Sequence, residues 1–357
     1  MALWALQFSG ALGATALRGP AWHGHEMIFG YAFAVIAGFL FTAVRNWAQR
    51  DTPTGAALAA IVLLWVAGRV LVLTPYVLAA AVVNALFPLA VALGIAIPLV
   101  AGGNRRNYFF VALMLAASAA VLLFHLAAAG IVAWPARVGL QVGLDLVRFI
   151  VAVIAGRVIP MITNNGVPGA GATRRLWVER SSLGGVLALL VLDVAGIDGA
   201  PLAMLALAVA GAHAIRLALW NPWRTLRTPL VWVLHAAYAW IVVHPVLRAL
   251  AQWGLVAEPL AIHALTIGVI GGMTIGMMTR TARGHTGRPL VADGFEVACY
   301  ALVQAAALAR VGGALLVPEA YLQTVWVSAV LWSAAFGVYA VRYWPVLTRP
   351  RVDGKPG

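Results

Sequence analysis

Residues 22–27 read Trp-His-Gly-His-Glu-Met and open a long apolar run. Three side chains able to hold a metal, His23, His25 and Glu26, fall within four positions. Imidazole and carboxylate both ligate first-row metals, and imidazole suits copper, iron and zinc. His23 and His25 are two apart and diverge on a regular helix, whereas His23 and Glu26, three apart, share a face. The cluster therefore serves two sites, or one site on a non-helical entry turn. Its other reading is an interfacial group that hydrogen-bonds loop carbonyls. In either case polar groups in apolar surroundings need a partner, because leaving them bare is costly.

Other candidates sit inside apolar runs. His125 follows Val121-Leu122-Leu123-Phe124, and His263 opens Ile262-His263-Ala264-Leu265-Thr266. Each alone reads as a satisfied polar residue. Together, on two helices at similar depth, they fit a bis-histidine haem or part of a copper site. A second group of ligand or cofactor-contact candidates comprises His213, His235, His285, Met273, Met277, Arg157 and Arg280. His213 with Arg216, and His235 with Tyr238, are spaced for outer ligand contacts or a haem-propionate clamp, and equally for interhelical hydrogen bonds. His235 and His244 are half a turn out of phase and cannot share a site. Asp145 and Arg148 are spaced for an intramembrane ion pair. Pro160, after Arg157, predicts a helix break that frees backbone groups. Gly272 and Gly276 permit close helix approach, and Met273 and Met277 fill the core or offer soft ligands. Gly284-His285-Thr286-Gly287-Arg288 is a basic turn or an anion site, and it lacks the Gly-Lys-Ser/Thr ending of a phosphate loop.

What positions these residues is a set of membrane helices. The chain of 357 residues is 63% hydrophobic and only 10% charged, with mean hydropathy +0.93, far from a soluble composition. Apolar stretches of bilayer-crossing length recur at 24–46, 54–73, 76–101, 107–130, 136–161, 182–197, 200–221, 228–250, 257–281, 294–317 and 320–343. The sequence thus predicts an all-α, polytopic transmembrane bundle in a single domain, with eleven full spans. Residues 1–17 read as the end of a further, truncated helix, without the features of a signal peptide. The alternating ten-residue segments of a β-barrel are absent.

The net charge is +13, nearly all arginine, and Lys355 is the sole lysine. Its distribution explains it without nucleic acid. Loops after odd-numbered spans carry Arg45, Arg50, Arg105, Arg106, Arg174, Arg175, Arg180, Arg224, Arg227, Arg283, Arg288, Arg349 and Arg351, while the alternate loops carry few basic residues. That asymmetry puts the first set and the C-terminus in the cytoplasm, and His23, His25, Glu26, His125 and His263 toward the outer face. Cys299 stands alone, so no disulfide framework exists.

Six motifs resemble the NnrS family of bacterial inner-membrane proteins: Trp22–Met27, Ala37–Trp47, Asn104–Asn107, Gly156–Asn165, Trp223–Trp240 and His263–Leu290. They follow the family's order. The resemblance implies a twelve-span membrane protein that binds haem and copper and acts in the response to nitric oxide, with nitric oxide or a derived species as partner. An alternative is a transporter for copper, haem or a small solute, suggested by Asp145, Arg148, Arg157 and the expected break at Pro160. The lack of an obvious internal repeat weighs against it. A third class is a sensor or assembly factor without turnover.

Overall fold

The computed structural model describes residues 2–11 and 19–354. Of the N-terminal apolar piece, Ala2–Phe8 forms helix α1, and residues 12–18 lie outside the described part. The described residues form helices and no strand: α2 (Gly19–Ala48), α3 (Gly55–Leu71), α4 (Val77–Ala101), α5 (Arg105–Ala128), α6 (Ala136–Gly166), α7 (Leu176–Ala195), α8 (Ala200–Leu219), α9 (Pro229–Gln252), α10 (Glu258–His285), α11 (Gly294–Leu316) and α12 (Pro318–Leu347).

Nine of these are long and apolar enough to cross a membrane among the described residues. The two other expected segments fall short for separate reasons. Helix α3 is apolar but only 17 residues long. Helix α7 has the length but carries Glu179 and Arg180 at one end and Asp193 near the other. A helix satisfies its own backbone groups, which is why it serves where water is absent. The outward faces agree: Leu63 and Val70 of α3, Ile97 of α4 and Val341 of α12 are exposed apolar residues.

The chain divides into two compact units, Gly10–Arg148 and Phe149–Gly357 with Met1–Ser9. In the first, α4 packs along α5 and also receives α2 and α3. In the second, α9 packs along α8 and α10, and α11 along α12. Gly272 and Gly276 let α10 lie against Ala237, Val233 and Leu234 of α9, which is the packing role their spacing predicts.

Three helices contain a π-helical stretch: Glu26–Ala32 in α2, Ala264–Gly271 in α10 and Ala309–Gly313 in α11. The first two begin directly after His25 and His263. Such widened turns are frequent at functional sites. The expected break at Pro160 does not occur, since α6 continues through it to Gly166. Neighbouring helices and side chains can compensate an interior proline in a membrane helix. The end of α6 is instead tied by Asn164, whose amide donates to the Ala172 carbonyl (2.9 Å) and accepts from the Ala172 N–H (2.8 Å).

Candidate metal centre

In the first unit, α2 and α5 bring two buried imidazoles together. His25 and His125 are 0% and 1% exposed, and their Nε2 atoms lie 3.0 Å apart. On its other side, His25 Nδ1 lies 2.9 Å from Glu26 Oε1. An ionised carboxylate only accepts, so Nδ1 of His25 carries the proton and Nε2 of the neutral ring keeps its lone pair. His125 Nε2–H then donates to it. Phe29 and Phe124 flank the His25 ring, with centroids 5.5 and 5.2 Å away.

Helix α3 contributes the electrostatic support. Arg69 Nη1 donates to Glu26 Oε1 (2.6 Å), and Nη2 donates to Asn84 Oδ1 on α4. Asn84 is itself fixed by donating to the Ala80 carbonyl (2.8 Å). The guanidinium passes over Gly30 of the π stretch, where any Cβ would overlap it. Trp65 Nε1 donates to the Gly30 carbonyl (2.8 Å), pinning the same turn. Neither Arg69 nor Asn84 lies in a motif that singles it out in the chain. The available signal was a lone charge, Arg69, in a 17-residue apolar helix.

Hydrogen-bonded in this way the pair offers one lone pair, on His25 Nε2, and it becomes a two-donor site when the His125 proton moves to Nδ1. Among the described residues no group of three or more His, Cys, Asp or Glu is placed to hold an ion. Two imidazoles suit copper among the first-row metals. At 3.0 Å the two nitrogens are closer than two in-line metal–nitrogen bonds of about 2 Å each, so a bound ion would need the pair to open, and a haem would need more room still. The structure therefore pairs His125 with His25. His263 belongs to the second unit, where its Nδ1 donates to the Pro259 carbonyl (2.5 Å) and Nε2 keeps the lone pair. His23 is half-buried on the first turn of α2.

The second unit holds a separate polar network. Arg216, 1% exposed, grips Glu179 through Nε–Oε1 (2.9 Å) and Nη2–Oε2 (2.5 Å). Its Nη1 donates to the Ala152 carbonyl (2.9 Å) and to the Tyr238 hydroxyl (3.0 Å). Tyr238 can then donate its own proton to His213 Nδ1 (2.7 Å). Arg216 thus takes part in interhelical hydrogen bonds, one of the two roles its spacing from His213 allowed. Nearby, Thr163 Oγ1 donates to the Ile159 carbonyl (2.8 Å) and so must accept from His235 Nε2 (2.8 Å). That fixes the tautomer and leaves a lone pair on His235 Nδ1, which is buried with no hydrogen-bond partner.

Arg216 reaches its partners across Gly156 of α6, where a Cβ would overlap the guanidinium. We expect Gly156→Ala to lose about 1–3 kcal/mol, the usual range for overpacking. Thermal unfolding in detergent measures this, and a wild-type melting point would show that Arg216 has room to move.

The remaining candidates are placed as follows. His285 is exposed, and its carbonyl accepts from Arg351 Nη1 (2.7 Å). Val352 N–H donates to the Thr286 carbonyl (3.1 Å), so the C-terminal segment occupies this turn. His244 Nδ1 donates to the Ala261 carbonyl (2.8 Å) and Arg248 pairs with Asp193 (2.5 Å). Asp145 and Arg148 form the expected ion pair at 2.7 Å. Met273, Met277, Arg157 and Arg280 are half-buried.

Comparison with known proteins agrees with the motifs. No curated protein matches the chain. The NnrS protein family model matches residues 1–351. A many-helix membrane chain matched over nearly its whole length by that model belongs to the NnrS family.

Proposed function

We propose that this protein binds copper and haem in the bacterial inner membrane and protects against nitric oxide, with His25 and His125 as its copper ligands. The observation that carries this reading is the approach of the two Nε2 atoms to 3.0 Å, with Glu26 on the far nitrogen of His25. A carboxylate behind a ligating histidine sets its tautomer and raises its basicity. Copper at this position would supply a soft centre able to take a diatomic ligand. The protein's own residues do the rest. Glu26 holds the proton on His25 Nδ1, Arg69 offsets the carboxylate charge, and Phe29 and Phe124 keep water from the ring faces.

The pair does not suit haem. The bare, buried Nδ1 of His235 is the nitrogen that would hold haem. The arginine-rich ends of the helices and the C-terminus face the cytoplasm, as the basic-residue asymmetry directs. The charges that suggested transport, Asp145 and Arg148, neutralise each other.

The test is metal content and optical spectrum of protein purified from haem- and copper-replete cells, with and without nitric oxide. We expect a Soret band that responds to nitric oxide, and copper by elemental analysis. In His25→Ala and His125→Ala the copper should be lost and the Soret band kept. Protein free of both cofactors sinks the reading, and gradient-driven uptake in proteoliposomes replaces it with transport.

A further inference from the structure

Three arginines are buried among the described residues. Arg148 pairs with Asp145 and Arg216 with Glu179. Arg310, in the π stretch of α11, is the third. The residue is 5% exposed, and no carboxylate among the described residues pairs with it. Nη2 donates to the Tyr321 hydroxyl of α12 (2.6 Å), and the guanidinium lies 4.6 Å from that ring's centroid. Nη1 is buried with no hydrogen-bond partner.

A guanidinium cannot shed its proton to escape burial. An uncompensated buried charge is among the costliest things a fold can carry. A cation–π contact and one neutral hydrogen bond offset only part of that cost. The surroundings add one further donor. Tyr321 accepts from Arg310, so its own proton is available. His263 of α10 also lies within electrostatic reach of Arg310. The start of α10 closes the region from the side, with Ala261 and Ala264 packed on Val311.

We propose that Arg310, with Tyr321, binds a monovalent planar oxyanion or carboxylate. The planar fork of the guanidinium matches two oxygens of such a group. One fixed positive charge selects one negative charge, because a dianion would leave a net charge in a low-dielectric setting. The site lies outside the copper and haem assignments and does not depend on them.

The test is thermal unfolding of the full-length, detergent-purified protein during titration with sodium nitrate, sodium acetate or sodium sulfate, at ionic strength fixed with chloride. Nitrate or acetate should raise the melting temperature saturably, as a ligand of the folded state does. Sulfate should not. A response to nitrate alone identifies an inorganic oxyanion as the ligand, and a response to acetate identifies an organic carboxylate. Arg310→Met should fold, melt at or above the anion-free wild type, and respond to neither. Equal responses to nitrate, acetate and sulfate, no saturable response, or the same response in Arg310→Met overturns the proposal. The wild-type comparison of nitrate with sulfate decides even if the variant does not express.

Discussion

Glu179→Leu should cost about 3–5 kcal/mol of stability, the penalty for stranding one partner of a buried ion pair. The expectation rests on where the remaining charge would sit. Arg216 is 1% exposed and takes both of its carboxylate contacts from Glu179. Its other partners, the Ala152 carbonyl and the Tyr238 hydroxyl, are neutral. Arg174 also touches Glu179, at 3.1 Å, but its side chain is 45% exposed and water can replace that contact. Adding Arg216→Met to Glu179→Leu should therefore recover most of the loss, because the stranded charge is gone. Chemical unfolding in detergent of both single variants and the double variant measures the coupling. A double variant no more stable than Glu179→Leu would mean that the carboxylate matters for some reason other than neutralising Arg216.

Glu26→Gln should weaken copper binding about 10–100-fold, the usual effect of removing a partner that orients a ligating histidine. A carboxylate can only accept and so forces the proton onto His25 Nδ1. A carboxamide can present its NH2 group to the same nitrogen, which favours the proton on Nε2 and blocks the ligating lone pair. The substitution also takes from Arg69 the carboxylate 2.6 Å away. Competition against a copper chelator compares the two proteins directly, and the haem spectrum serves as a control for folding. Equal copper affinities would place Glu26 outside the site's chemistry and leave it only the task of pairing with Arg69.

Much of the architecture was legible in the chain because bilayer-length apolar runs are a local signal. Each expected segment has a corresponding helix, though α3 and α7 lack the length or the apolarity to count alone. Local spacing also revealed the Asp145–Arg148 pair, which lies one turn apart on one helix. The contacts that organise the sites are of another kind. His25 and His125 are 100 residues apart, Glu26 and Arg69 are 43 apart, and Glu179 and Arg216 are 37 apart. No periodicity encodes which distant helix a side chain will face. The same limit hid the partners of Arg310. A single arginine inside an apolar run was the sign common to Arg69 and Arg310. The π stretches were equally invisible, since Glu26–Ala32, Ala264–Gly271 and Ala309–Gly313 share no composition or spacing that marks a wide turn.

The π stretch in α2 also determines the phase of everything below it. Each residue added to or removed from a helix turns the remainder by about 100°. Above the stretch sits His25, and below it Ile36, Leu40 and Val44 form the buried stripe of α2. Changing a side chain in Glu26–Ala32 alters one contact, whereas deleting one residue there turns the stripe relative to His25 unless the wide turn closes to an ordinary α turn. For this helix the length of the segment is a stricter requirement than its composition, and the same holds for α10 below His263.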